Sequence, residues 1–84
     1  MLELYQFEEC EYSTQVRLKM SEWGIDYILR NVAKDKSKRP RLQSVSGQHD
    51  VPTLIDSWRN VIISGDEKKI IEYLQTHYQA HAKP

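Results

Sequence analysis

A single cysteine, Cys10, three glycines, three prolines and one phenylalanine stand in this 84-residue chain, and no apolar run exceeds the three residues Val61, Ile62 and Ile63. One thiol cannot close an internal disulfide, and domains this small in oxidising compartments are usually stapled by several, so a cytoplasmic setting is expected. A membrane-spanning helix needs about 20 apolar residues and a signal peptide an apolar stretch of about 7 to 15. Neither a membrane span nor a leader is therefore expected, and Met1 runs straight into a strand-like pattern. An excess of one charge is missing too, since 12 lysines and arginines balance 12 aspartates and glutamates. Without net positive charge the attraction that dominates nucleic-acid affinity is absent, and no nucleic-acid partner is expected. No repeat, low-complexity segment or linker interrupts the chain.

What is present suits one small core. At this length about 60 to 65% of the unfolded surface can be buried. Hydrophobic residues make up 39% of positions and charged residues 29%, and the apolar ones cluster too regularly for disorder. One domain over residues 1–78 is expected, monomeric, with a tail at 79–84 that has little to bury and frays.

Leu2 to Phe7 is rich in strand formers and broken by Glu8 and Glu9, which predicts a first strand. Between Ser13 and Trp23 the period changes: Val16, Met20 and Trp23 recur at helical spacing, and Gly24 stands where a left-handed residue ends a helix. Ile25 to Val32 predicts a second strand, parallel to the first across a right-handed crossover. Lys34 to Arg41 is polar and basic. Ser37 is placed to cap a short helix with Pro40 in its first turn, running through Leu42 and Val45 to Gly47. Val51 to Asp56 and Val61 to Ile63 read as an antiparallel hairpin joined by Ser57, Trp58, Arg59 and Asn60. Ser64 and Glu67 make a capping box for a last helix carrying Ile70, Ile71 and Leu74. The order β-α-β-α-β-β-α gives an α/β fold, a four-stranded mixed sheet with helices on both faces, which resembles the thioredoxin-like arrangement.

Cys10 falls between the first strand and the first helix, where helix amides lack intrahelical partners and the macrodipole presents partial positive charge. Thiols so placed become nucleophiles. A packed, inert cysteine is the competing reading, but the flanking Glu8, Glu9 and Glu11 do not suit a dry pocket. Each glutamate opposes ionisation by about 0.7 kcal/mol at ~6 Å in water-like dielectric, and the helix terminus offers about 0.5 to 2 kcal/mol the other way. The two nearly cancel, so a reactive thiol is expected without the extreme acidity that some sites of this type reach. His77 and His81 are four apart, but no third ligand lies nearby in sequence and no metal is expected. His49 lies in the loop before Pro52 and Trp58 in the hairpin turn, and neither is assigned a role.

The stretch LELYQFEECEYS, Leu2 to Ser13, resembles the opening of glutaredoxins, in which a strand runs into Cys-Pro-Tyr-Cys. DKSKRPRLQSVSGQHDVPTLID, Asp35 to Asp56, resembles their second helix and Ser-Gly-x-x-x-Val-Pro loop. SGDEKKIIEYL, Ser64 to Leu74, is similar to their last helix and to the third helix of the amino-terminal thioredoxin-like domain of glutathione transferases. The resemblance implies a glutathione-dependent thiol-disulfide oxidoreductase. Cys10 matches its nucleophile and Tyr12 the aromatic residue of the tetrad. Val51 precedes Pro52, which matches a cis-proline whose neighbouring backbone pairs with the cysteinyl part of glutathione like an added strand. Arg39 matches a basic residue that meets the glycine carboxylate. Ser64, Gly65, Asp66 and Glu67 match the turn that holds the γ-glutamyl end.

Ser13 stands where the family has its second cysteine, so the resemblance implies a monothiol route. Cys10 removes glutathione from mixed disulfides of proteins or small molecules, with glutathione as co-substrate, and Ser13 is a spectator or donates a hydrogen bond to the sulfur. Glu11 replaces the tetrad proline, Phe7 the lysine common three residues before the cysteine, and Glu67 the serine of the transferase pattern. Two other readings stay open. One is a non-catalytic glutathione-binding or protein-interaction module. The other is a carrier in which two Cys10 thiolates and two glutathiones hold a 2Fe–2S cluster, although the small residue that often follows the cysteine in such carriers is Glu11 here.

Overall fold

The alternation of Leu2 and Leu4 with Glu3 gives β1, Leu2–Gln6, one strongly apolar face. In a computed structural model that describes residues 1–78, that face meets Val16 and Met20 of the first helix, Leu54 of the central hairpin, and Ile70 and Leu74 of the last helix. All seven side chains are buried, each contributing about 1.5 to 3 kcal/mol by leaving water.

Helix α1 spans Glu11–Glu22 and buries Ser13, Val16 and Met20, a stripe at helical spacing. Trp23 is its C-cap, and Gly24 in the turn beyond has a φ of 65°, open to a residue without Cβ. The amide of Ile25 bonds back to the Met20 carbonyl at 2.8 Å. That bond keeps Ile25 in the helix-terminating turn, which is why β2 covers only Ile28–Asn31 and not the longer run predicted from Ile25. Helix α2, Pro40–Ser46, has proline in its first turn and Gly47 at φ 71° as its left-handed stop. Ser37 does not cap it: its amide and hydroxyl both bond the Asp35 carboxylate, at 3.0 and 2.7 Å, in a separate turn, and Arg39 occupies the N-cap.

Strands β3, Thr53–Asp56, and β4, Val61–Ser64, form the antiparallel hairpin across the Ser57–Asn60 turn. β3 starts two residues later than predicted, after Pro52, which has no N–H to give a ladder. Helix α3, Glu67–His77, is capped by Asp66, whose carboxylate accepts from the Lys69 amide at 3.1 Å. The Ser64–Glu67 box does not form, because Ser64 is the last residue of β4 and its hydroxyl pairs with Thr53 across the ladder.

The strand order is β2-β1-β3-β4, with β1 and β2 parallel and the other pairs antiparallel. α1 and α3 pack together on one face. On the other face α2 sets Arg41 over the Tyr5 ring at 5.6 Å. This is the thioredoxin-like fold. Strand directions send the C-terminal ends of β1, β2 and β4 and the N-terminal end of β3 to one edge of the sheet. Four loops therefore meet there. Among the described residues no helix is long and apolar enough to cross a membrane. The expected frayed tail and His81 lie outside the described residues.

Candidate functional site

Cys10 is the N-cap of α1, with extended backbone (φ −71°, ψ 115°), and is half-buried and free. Its amide closes the turn after β1 by donating to the Phe7 carbonyl at 3.1 Å, and its carbonyl accepts from the Thr14 amide at 2.9 Å. Its sulfur accepts no hydrogen bond from the first helical turn, so those amides remain directed at whatever binds beside the thiol. Tyr12 is exposed, at 49%, and Glu8, Glu9 and Glu11 are exposed around the turn. Ser13 is wholly buried and its hydroxyl has no hydrogen-bond partner among the described residues. It does not bond the Cys10 sulfur, contrary to one of the two roles anticipated for it.

Beneath the Cys10 turn lies a polar network that no sequence pattern announced. Arg17 donates to the Gln6 side-chain carbonyl, to the Thr14 hydroxyl at 3.0 Å and to the Glu8 carbonyl at 3.3 Å. Gln6, fully buried, in turn donates to Asn31 at 2.6 Å. The network ties the ends of β1 and β2 to α1 and fixes the loop that presents the thiol. The one signal available was a glutamine inside an apolar strand.

The facing wall is the segment before β3. The Val51–Pro52 peptide bond is cis and Pro52 is buried. Among the described residues the Val51 amide and carbonyl make no backbone hydrogen bond, leaving a short open edge able to take an extended peptide. The segment is anchored on both sides. The Pro52 carbonyl accepts from the Gly65 amide at 2.9 Å, and Thr53 Oγ1 donates to the Asp50 carbonyl at 2.6 Å. Asp50 also pairs with Lys36 at 2.6 Å. Gly65 and the Asp66 cap then lead into α3, with Glu67 in its first turn.

Arg39 does not lie among solvated cations. It is 6% exposed, and its guanidinium donates to the carbonyls of Ala33 at 2.8 Å, His49 at 2.6 Å and Lys34 at 3.0 Å. It also stands over the Phe7 ring, 5.5 Å from the centroid.

Cys10, Tyr12, Ser13, Arg39, Val51, Pro52, Ser64, Gly65, Asp66 and Glu67 are thus all carried to one edge of the sheet by its topology. Trp58, 73% exposed, is at the other edge. His77 lies at the C-terminal end of α3, packed on Tyr73 at 4.5 Å.

The sequence profile of the glutaredoxin family matches residues 2–56, from β1 to the end of β3. The chain belongs to the glutaredoxin family. No curated protein matches this glutaredoxin-family chain in sequence. Solved structures do match it in fold. Glutathione S-transferase isozyme E7 from Drosophila melanogaster is 31% identical with a TM-score of 0.75, over 93% of this chain and 35% of that one. A glutathione transferase homolog from Sulfitobacter, solved with bound glutathione, is 20% identical with a TM-score of 0.78, over 98% of this chain and 38% of that one. The Omega 3C transferase from Trametes versicolor reaches a TM-score of 0.82 at 18% identity, over 99% of this chain and 35% of that one. At such identities the last two speak to the fold alone. The glutaredoxin-family chain spans little more than a third of the transferases it resembles.

Proposed function

We propose that the chain is a glutathione-dependent thiol-disulfide oxidoreductase working through one thiol. The observation that carries this reading is a lone, accessible cysteine at the N-cap of α1, on the same sheet edge as the unpaired backbone of Val51 beside cis-Pro52. Glutathione lies along that edge, its cysteinyl backbone paired with Val51 and its γ-glutamyl end at Ser64, Gly65, Asp66 and Glu67, where helix amides face the carboxylate and acidic side chains face the amine. Membership of the glutaredoxin family over residues 2–56 supports the choice of tripeptide.

The Cys10 thiolate attacks the glutathione sulfur of a mixed disulfide, a new disulfide forms between Cys10 and glutathione, and the substrate leaves as a thiolate that takes a proton from water. A second glutathione thiolate attacks the glutathione sulfur on Cys10, releasing glutathione disulfide and restoring the thiolate. In sum, one mixed disulfide and one glutathione give the substrate thiol and one glutathione disulfide. With Ser13 at the second tetrad position no internal disulfide forms, so each cycle passes through the glutathionylated enzyme. The partners are glutathionylated proteins or small mixed disulfides, and a reducing cytoplasm is the setting that suits an unpaired thiol.

The test is turnover of a glutathionylated peptide by the purified chain, with glutathione disulfide recycled by glutathione reductase and NADPH. Cys10→Ser should reduce the rate to the uncatalysed background, and turnover at the original rate would refute the mechanism. Binding of glutathione by the unmodified chain with no turnover would assign the site to a binding module.

A further inference from the structure

We propose that Arg39 is a positioning residue that holds the peptide-pairing edge in place, and that it is not a ligand of the glycine carboxylate. The inference rests on the glutathione reading of the Cys10 and Val51 edge given above. Its own ground is the geometry of one side chain. Arg39 is at the start of α2, 94% shielded, and its three nitrogens each donate to a backbone carbonyl. Two of those carbonyls, of Ala33 and Lys34, belong to the loop after β2, and the third, of His49, belongs to the segment that leads into Val51 and Pro52. The ring of Phe7, three residues before Cys10, lies against the same guanidinium.

Three of the four loops that meet at the site edge therefore converge on one planar cation. Loops carry few backbone bonds of their own, and carbonyls turned inward must find donors. A guanidinium offers five N–H groups in a fixed fork and can span separated acceptors. A lysine ammonium presents its three donors from one atom, so it keeps the charge at this position while losing the span. Arginine in this place does what no other side chain can do, and the requirement comes from neutral carbonyls of the chain itself. A carboxylate ligand asks only for positive charge and one or two donors.

The two roles separate cleanly in an experiment on the full chain that uses glutathione and its glycine amide, in which the carboxylate is replaced by a neutral group. Arg39→Lys and Arg39→Met are compared with the parent for KM and kcat in the coupled mixed-disulfide assay. The rate of Cys10 alkylation by iodoacetamide reports the thiol alone, and amide hydrogen exchange at Gly65, bonded to the Pro52 carbonyl, reports the edge. A displaced edge raises KM for both ligands alike, by about tenfold or more, in both variants. Exchange at Gly65, whose amide is bonded to the Pro52 carbonyl, accelerates by a similar factor, while alkylation stays within about twofold of the parent.

The inference is overturned if the penalty appears with glutathione and vanishes with the amide, or if Arg39→Lys restores parental KM, because charge would then suffice. It is overturned equally if exchange at Gly65 is unchanged, or if both variants fail to fold, which would make Arg39 a residue of the fold alone. Should the parent chain neither bind nor turn over either ligand, the glutathione reading fails by itself, and the exchange measurement still decides whether Arg39 holds the edge.

Discussion

Tyr73 donates from its hydroxyl to Oδ2 of Asp56 at 2.6 Å, joining the last helix to the end of β3 at the sheet edge remote from Cys10. Tyr78 makes a second 2.6 Å bond to the same oxygen, and Arg59 and the Trp58 amide complete the shell around a carboxylate with no exposed surface. Burial pushes Asp56 upward, but the hydrogen bonds from Tyr73, Tyr78, Arg59 and Trp58 outweigh it and hold the carboxyl below its usual range. Burial, and then the bond to Asp56, push Tyr73 well above the ordinary tyrosine value and Tyr78 up to about 12.

The signs give a pH profile for stability. A lowered carboxyl stabilises the fold fully above its unfolded value, about 3.9. That contribution is lost as pH falls through the lower folded value. Raised tyrosines stabilise fully below about 10, and that contribution goes as pH climbs through the folded value near 12 for Tyr78. Asp56→Ala strands the donors that surround the carboxylate and is expected to cost about 3 to 5 kcal/mol. Tyr73→Phe is expected to cost about 1.5 to 3 kcal/mol. Urea unfolding at pH 7 and at pH 3 checks both, and Asp56→Asn should flatten the acid limb of the profile.

Ser13 gives a prediction of the opposite sign. Its buried hydroxyl lacks a partner among the described residues, so Ser13→Ala removes a desolvated polar group and should be neutral or raise stability by about 1 to 2 kcal/mol. As a spectator of the monothiol cycle the residue can be replaced without loss, and kcat should stay within about twofold of the parent. A higher urea midpoint with intact turnover is the expected pair of results, and a large fall in turnover of a folded variant would give the hydroxyl a place in the chemistry.

Much of this arrangement is local and could be read along the chain. Val16 and Met20 mark the buried stripe of α1, Gly24 and Gly47 mark helix ends at positive φ, and the Ser57–Asn60 turn lies between two short apolar runs. What escaped depends on partners distant in sequence. Ser64 and Glu67 match a capping box, yet Thr53, eleven residues earlier, claims the Ser64 hydroxyl and leaves the cap to Asp66. Arg39 sits in the polar, basic run from Lys34 to Arg41, and only the folded chain turns the carbonyls of Ala33, Lys34 and His49 toward it. Arg17 and Gln6 were unreadable for the same reason, since each has meaning only through the other.

Gly65 and Gly47 make a matched pair. Both have φ of 71°, but a Cβ on Gly47 would meet nothing within 4 Å, whereas on Gly65 it would lie 3.0 Å from the Asp50 Cβ. Gly47→Ala should lose the left-handed penalty alone, about 1 to 2 kcal/mol, with KM for glutathione unchanged. Gly65→Ala adds a displacement of Asp50 beside the pairing edge, so it should be less stable than Gly47→Ala and also raise KM. Urea unfolding and the coupled assay on the two variants, run together, separate strain from site geometry.

Thr53 fixes which way the Ser64 hydroxyl points. Its one hydroxyl proton goes to the Asp50 carbonyl at 2.6 Å. In the 2.7 Å contact between Thr53 and Ser64, Ser64 must therefore be the donor. Ser64 then presents only lone pairs to the turn that leads into α3, which suits an ammonium group and not a carboxylate. Thr53→Val keeps the shape, strands the Asp50 carbonyl and frees the Ser64 proton. It should cost about 1 to 3 kcal/mol and raise KM for glutathione more than for an analogue lacking the γ-glutamyl amine. Thr53→Ser retains the hydroxyl and should leave KM near the parent. Equal losses for glutathione and the deaminated analogue would show that the direction of the Ser64 hydroxyl does not matter to the ligand.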